Sequence, residues 1–197
     1  MNYNEIEKTK YLGAWAKGVE NDSRCAFPMA NYIIKHIPKD SKILDIGCGS
    51  GLVIQILRDS GYDVTGTDIT LEGLKLQHKP FNFGQPIPKR IFNKEGFYEA
   101  PIWNMPFKDN EFDFTFSTDV LEHLPPEMVP SAIKEIYRVT ALRTFHCIAT
   151  FRDNRGGYVF HLTLENIQWW KDNFNLLKPI PISAEIIDRK EFLKLYG

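Results

Sequence analysis

The sequence predicts an α/β fold in which a mostly parallel β-sheet lies between layers of helices. Residues 42–46 form an apolar strand, and a glycine-rich turn joins it to residues 52–59, where apolar side chains recur at helical spacing. Gly61 is expected to end this helix, and a second strand follows over residues 62–68. Because a helical crossover of this kind joins parallel strands, the core of the fold is predicted to be a parallel sheet.

The turn after the first strand reads Asp-Ile-Gly-Cys-Gly-Ser-Gly over residues 45–51. Glycine at such a turn lets a ligand approach the backbone closely. Asp68 ends the second strand at about the distance expected for the ribose-binding carboxylate of a nucleotide-binding unit. The glycine spacing differs from the G-x-G-x-x-G of dinucleotide sites, and a preceding acid, Asp45, suits a cationic ligand end better than a diphosphate. The turn therefore predicts a nucleotide-type site and argues against a nicotinamide dinucleotide.

The N-terminal 39 residues are predicted to be helical. One helix is expected to be capped near Asp22 or Ser23 and to end at Pro38, because the residue before a proline disfavours helical backbone. After the second strand, a short helix is predicted over residues 71–77. An irregular surface loop is predicted over residues 79–94, where three prolines and a glycine prevent regular structure.

Strands and helices alternate through the middle of the chain, as they do in parallel α/β sheets. The predicted elements are strands over 96–100, 112–117 and 144–151, helices over 127–139 and 161–170, and a flexible polar loop over 152–158. Thr163 is the expected N-cap of the later helix, since a threonine hydroxyl can accept a backbone hydrogen bond there.

Two further segments carry recognisable motifs in the same order: residues 105–113, Met-Pro-Phe-Lys-Asp-Asn-Glu-Phe-Asp, and residues 117–124, Ser-Thr-Asp-Val-Leu-Glu-His-Leu. With these motifs, the glycine turn and Asp68, the chain resembles the class I S-adenosylmethionine-dependent methyltransferases from about residue 43 to residue 170. The resemblance implies a Rossmann-like three-layer sandwich with a seven-stranded, mostly parallel sheet. It also implies S-adenosylmethionine as the cofactor and methyl transfer as the activity.

The resemblance assigns the cofactor's amino-acid end to Asp45 and the glycine turn, and its ribose hydroxyls to Asp68. Family members often carry an acid that accepts a hydrogen bond from the adenine amino group at the position where this chain has Pro101. Adenine recognition is then expected from groups near Ile102 and Trp103, although Trp103 as a core residue is an equal alternative. The full set of predicted cofactor-binding residues is Asp45, Gly47, Cys48, Gly49, Gly51, Asp68, Ile69, Ile102, Trp103 and Ser117.

The resemblance further implies that residues 1–39 form a helical lid over a core of residues 40–197, with Tyr11 able to reach the cofactor or simply packing. We expect these parts to make one methyltransferase domain. The tail after residue 174 is expected to supply the closing antiparallel strands of the sheet, around Leu176–Leu177 and Ile186–Ile187.

Asp119, Glu122 and His123 stand at i, i+3 and i+4, which places them close together if the turn is helical. His123 and Asp119 are the predicted catalytic residues, with His123 as a general base because imidazole titrates near neutral pH. Two alternatives remain open. The trio could bind Mg²⁺ or another metal, as in the resembled RNA 2′-O-methyltransferases, with His146 or His161 completing the site, or it could only orient the loop.

Arg152 and Arg155 in the polar loop favour a small, anionic acceptor, since guanidinium groups pair with carboxylate and phosphate; solvated surface arginines are the alternative. His161 could face the same site or be a structural histidine. A noncatalytic module that binds S-adenosylmethionine or S-adenosylhomocysteine is a further alternative, which the missing acid at Pro101 keeps open. The accepting atom and the oligomeric state are not predicted.

Composition fits one globular domain, with 43% hydrophobic and 25% charged residues among 197. A net charge of -1 gives no general attraction to nucleic acid, although it does not exclude it. Three well-separated cysteines suggest neither a disulfide framework nor a cysteine-zinc site. The absence of a long apolar run and of a signal-peptide pattern predicts a cytoplasmic protein without membrane partners.

Overall fold

A computed structural model describes residues 3–17, 24–75, 95–179 and 181–197. Three predicted features lie outside these residues: the helix cap at Asp22 or Ser23, residues 76–77 of the predicted 71–77 helix, and the 79–94 loop. The helices are α1 (Tyr3–Ala16), α2 (Ala26–His36), α3 (Leu52–Asp59), α4 (Val129–Val139), α5 (Ile167–Leu177) and α6 (Arg189–Tyr196). The strands are β1 (Lys42–Ile46), β2 (Asp63–Asp68), β3 (Phe97–Glu99), β4 (Phe112–Thr118), β5 (Thr140–Ile148), β6 (Asn154–Arg155), β7 (Tyr158–Val159) and β8 (Ser183–Asp188). Three short 3-10 turns cover Leu71–Lys75, Leu121–His123 and Pro126–Met128.

The main sheet has the strand order β3-β2-β1-β4-β5-β8, and every neighbouring pair is parallel. The order reverses direction at β1, so the chain winds outward from the centre of the sheet on both sides. Ligands of such open sheets bind outside the carboxyl ends of the strands where this reversal occurs. The glycine turn follows β1 and therefore lies at that point.

Helices cover both faces of the sheet, which gives three layers. One apolar cluster joins α2, α3 and α6 to residues such as Ile43, Phe114 and Phe145 on one face. The other joins α4 and α5 to residues such as Leu44, Phe112 and Ile148 on the opposite face. Because the inner strands are covered on both sides, nearly all their side chains are buried, as parallel sheets require.

The expected seventh strand is wrong for the described residues, since the main sheet has six strands. Leu176 and Leu177 end helix α5, in which Trp170 and Phe174 are buried one turn apart, while Leu176 is 82% exposed. Helix α5 carries the chain back across the sheet, so β8 runs parallel to β5 rather than antiparallel as expected. Ile186 and Ile187 do lie in that strand.

Two local expectations between β5 and α5 also need correction. The predicted polar loop is a β-hairpin, in which Asn154 and Arg155 pair with β7 around Gly156 and Gly157, both with positive φ. Two consecutive residues with positive φ form the tight turn of a two-residue hairpin loop. Helix α5 begins later than expected and is capped by Asn166, whose side chain accepts the Trp169 N–H at 3.0 Å. The Thr163 hydroxyl instead donates to the Leu124 carbonyl at 2.6 Å.

Candidate active site

A cavity opens at the carboxyl edge of the sheet, beneath helix α1. About 1350 Å³ of space, including its open mouth, lies between the walls. Of the predicted site residues, those that line the cavity are Asp45, Gly47, Cys48, Gly49, Asp68, Ile69, Ile102, Trp103, Asp119 and His123.

The glycine turn is held against the end of β2 by its backbone. The N–H groups of Gly47 and Cys48 both donate to the Thr67 carbonyl, at 2.7 and 3.0 Å. Gly47 has φ of 74°, and a β-carbon there would overlap the methyl groups of Val120. Only glycine therefore allows the turn to pass this close to the loop after β4.

Asp68 ends β2 and fixes the next residues of the turn. Its carboxylate accepts the Gly49 N–H at 2.8 Å and the Thr70 N–H at 3.2 Å. Burial raises the pKa of Asp68 to about 6, although these backbone donors favour the charged form. A carboxylate has about four acceptor positions, so Asp68 can still accept hydrogen bonds from ribose hydroxyls.

Asp45, at the start of the turn, is buried and lines the cavity. Burial raises its pKa well above the usual range, and the charge of Asp68 adds to the effect. A ligand ammonium group beside these two acids would supply the opposite charge that they lack. This pair therefore favours a ligand with a cationic end.

Two of the predicted cofactor-binding residues do not line the cavity. Gly51, with φ of 68°, is the N-cap of α3, so it belongs to the join between the glycine turn and the helix. Ser117 is fully buried in β4, where its hydroxyl lies 2.7 Å from Nδ1 of His146. Ser117 therefore lies within the sheet and not at its ligand-binding edge.

Helix α1 forms the roof of the cavity with one side chain per turn: Tyr3, Glu7, Tyr11 and Trp15 all line it. The Tyr3 ring lies 5.4 Å from that of Trp103, and the Tyr11 hydroxyl is hydrogen-bonded to Nδ1 of His123. Beside them, Lys8 pairs with Glu99 at 2.6 Å. This placement brings Tyr11 to His123, the predicted base.

His123 is buried at the end of the 3-10 turn after β4, with its ring centroid 4.9 Å from that of His161. Burial lowers the pKa of His123 well below its usual value, with smaller contributions from His161 and nearby cations. His123 is therefore neutral near pH 7, which is the form that can accept a proton, but it is a weaker base than the near-neutral imidazole expected from the sequence.

Glu122, His123 and His161 each place a ligand atom within 4.8 Å of the other two, and all three are buried. One oxygen of Glu122 accepts the Ala149 N–H at 2.9 Å, while its Oε2 has no hydrogen-bond partner. The Phe151 carbonyl takes the hydrogen on His161 Nδ1, which leaves the Nε2 lone pair toward the cluster. Two imidazoles and a carboxylate are a donor set that divalent transition metals accept.

The other residues of the metal alternative are placed elsewhere. Asp119 has φ of 55°, and one of its carboxylate oxygens lies 3.3 Å from Nε of Arg189. His146 is buried between Ser117 and Thr144, and burial lowers its pKa to about 3. Among the described residues, His161 and not His146 joins Glu122 and His123.

Two basic side chains also line the cavity. Arg189, the first residue of α6, is only 5% exposed and lines the cavity. Arg155 also lines it, stacked on Phe160 at 5.3 Å and paired with Asp153 at 2.7 Å. Arg152 is exposed and is not among the lining residues.

Sequence reasoning missed Glu7 and Arg189 as lining residues. Arg189 directly follows the carboxyl end of β8, and that position would have been the signal if β8 had been placed as a parallel strand. Glu7 had a weaker signal, since it shares a helical face with Tyr3, Tyr11 and Trp15.

Comparison with known proteins gives the family. The sequence profile described as "Methyltransferase domain" matches residues 44–143, about half of the chain. The chain belongs to this methyltransferase family. The resemblance drawn from the glycine turn and the motifs around β4 is thereby confirmed.

Curated relatives include an uncharacterized methyltransferase of Schizosaccharomyces pombe, 28% identical over 122 residues, which are 60% of this chain and 42% of that protein. Another is the ubiquinone biosynthesis O-methyltransferase of Thiobacillus denitrificans, 26% identical over 62% of this chain and 44% of the relative. The chain thus spans less than half the length of these relatives.

Among solved structures, the Burkholderia thailandensis 1,6-didemethyltoxoflavin-N1-methyltransferase has a TM-score of 0.57 at 17% identity. The match covers 78% of this chain and 64% of that one, whose structure holds 1,6-didemethyltoxoflavin and S-adenosylhomocysteine. This likeness confirms the Rossmann-like fold. Within the described residues, no helix is both long enough and apolar enough to cross a membrane.

Proposed function

We propose that this methyltransferase-family protein transfers the methyl group of S-adenosylmethionine to a small, anionic acceptor. The observation that carries the proposal is the cavity itself, whose lining includes both the glycine turn with Asp68 and the side chains of His123, Arg155 and Arg189. The Burkholderia structure holds S-adenosylhomocysteine and 1,6-didemethyltoxoflavin, which supports an adenosyl cofactor and a small acceptor.

The chain's own residues would act mainly by positioning. Asp45 and the turn hold the amino-acid end, Asp68 holds the ribose, and the lining arginines orient the acceptor. A sulfonium already activates its methyl group, and holding two reactants in line can lower a barrier by about 7–11 kcal/mol. His123, neutral because of its burial, takes the acceptor's proton, and Asp119 fixes Arg189 beside the acceptor.

The test is calorimetric titration with S-adenosylmethionine and S-adenosylhomocysteine, followed by assays of methyl transfer to a panel of carboxylates and small phosphates. His123→Ala should lower turnover about 10²–10⁴-fold while cofactor affinity stays nearly constant. Failure of both cofactors to bind would overturn the proposal. Binding without transfer to any acceptor would favour the noncatalytic module.

A second candidate is metal-dependent transfer, which the cluster of Glu122, His123 and His161 favours. Such an enzyme would lose activity with EDTA and regain it with Mg²⁺ or Mn²⁺. Short RNA belongs in the same acceptor panel, and steep salt dependence of its binding would indicate a nucleic-acid substrate. Activity unaffected by EDTA would leave the base mechanism as the better account.

A further inference from the structure

The wall of the cavity at the end of β3 lacks a side chain that can accept a hydrogen bond. Ala100, Ile102 and Trp103 line this wall, and Pro101 between them has neither a polar side chain nor an N–H group. Under the proposed function, on which this inference rests, the adenine ring lies here. Its amino group is a donor, and leaving a buried donor unsatisfied costs about 1–3 kcal/mol. Backbone carbonyls of this wall can accept a hydrogen bond, but a side-chain acceptor has to come from another element.

Five carboxylates line the cavity within the described part of the chain, and four of them lie at the glycine turn or beside an arginine. These four are Asp45, Asp68, Asp119 and Asp153. The fifth, Glu7, comes from the roof helix.

Glu7 faces the stretch of cavity between Trp103 and His123. It lies one turn after Tyr3, whose ring contacts Trp103, and one turn before Tyr11, which reaches His123. The Glu7 residue is 6% exposed, and Lys10 is ion-paired with its Oε2 atom. Because Lys10 balances the charge, the carboxylate can be buried without a large cost.

We infer that Glu7 accepts a hydrogen bond from the adenine amino group and thereby selects an adenosyl cofactor. An inosyl analogue carries a carbonyl oxygen at that position, and a carboxylate oxygen facing it would repel it. A site built around such a hydrogen bond rejects analogues that cannot make it, because its buried group is then left unpaired. The roof helix would thus supply the specificity that Pro101 cannot.

The experiment compares S-adenosylhomocysteine with S-inosylhomocysteine by calorimetry on the whole protein. The wild type should prefer the adenosyl ligand at least about tenfold. Glu7→Gln retains an acceptor but adds a donor for the inosyl oxygen, so the preference should fall to about threefold or less. Glu7→Ala should weaken the adenosyl ligand about tenfold and should strengthen the inosyl ligand, because the repulsion is removed.

Glu5→Gln is the matched control, because Glu5 is an exposed acid on the same helix. It should keep the wild-type preference, and far-ultraviolet circular dichroism should show that all variants fold alike. If the wild type binds neither ligand, the proposed function fails. If the adenosyl ligand binds and both Glu7 variants keep the wild-type preference for it over the inosyl ligand, only the role of Glu7 is overturned.

Discussion

At the scale of single residues, the Asp68 carboxylate has two sets of hydrogen-bond donors. It already accepts N–H groups from Gly49 and Thr70, and under the proposed function it also accepts the ribose hydroxyls. Its position was predictable, because an acid that ends the second strand of such a unit faces the ligand edge. The raised pKa of Asp68 was not predictable from the sequence, because it depends on burial by residues that are distant in sequence.

The raised pKa gives a pH dependence for cofactor binding. Ribose hydroxyls donate best to the ionised carboxylate, so affinity for S-adenosylhomocysteine should rise as the pH increases through about 6. Hydrogen bonds to charged groups are stronger by about 1 kcal/mol, so affinity at pH 5 should be roughly five- to tenfold below that at pH 7.5. Calorimetry across this range measures the change.

Asp68→Asn supplies the comparison, because it keeps the shape of the side chain and cannot titrate. This variant should bind weakly at every pH and lack the step near pH 6. A step of the same size in the variant would assign the titration to another group and contradict the role of Asp68.

At the scale of elements, the 3-10 turn of Leu71–Lys75 supports the glycine turn. A β-carbon on Gly73 would lie 2.6 Å from the Gly49 carbonyl oxygen and 2.9 Å from the Trp15 ring. The Gly49 backbone is tied to Asp68 and cannot yield freely. Gly73→Ala should therefore lower the free energy of unfolding by roughly 1–3 kcal/mol and weaken cofactor binding about tenfold.

Thermal unfolding and calorimetry measure these two effects. Gly157→Ala is the control, because a β-carbon there meets nothing within 4 Å although φ is 83°. Its strain should cost stability by about 1 kcal/mol while cofactor affinity stays unchanged. Wild-type affinity in Gly73→Ala would mean that the two turns move independently.

The elements that sequence predicted best are those whose pattern is local. The apolar run of β1, the helical spacing of α3 and the acid at the end of β2 all lie where expected. The tail was predicted less well, because Leu176 and Leu177 fit a short strand as well as the end of a helix. The direction of β8 depends on the path of α5 across the sheet, and no local signal records it.

At the scale of the whole molecule, α1 joins parts of the cavity that are far apart in sequence. Tyr3 contacts Trp103, Lys8 pairs with Glu99, and Tyr11 is bonded to His123. The ligand site after β1 and β2 was predictable from the glycine turn and from Asp68, because both lie at the carboxyl ends of strands of a parallel sheet. Which face of the roof helix meets it was not, because that depends on contacts between distant residues.

A ligand that fills the cavity should stabilise this helix against opening. Saturation with S-adenosylhomocysteine should slow amide hydrogen exchange in Tyr3–Ala16 by about tenfold or more, because bound ligand adds contacts to its inner face. Exchange in Val129–Val139, which contributes no residue to the cavity lining, is the internal reference and should change less. Equal protection of both helices would show that α1 does not respond specifically to the ligand.

Helix α1 carries Glu7 near one end of the cavity and Tyr11 near His123, so a single element borders both ligands. The cofactor and the methyl acceptor would then enter and leave past the same helix. Release of S-adenosylhomocysteine would expose the acceptor to water at the same moment. Each turnover on such a plan would require the roof helix to open at least once, to release the product and admit the next pair of ligands.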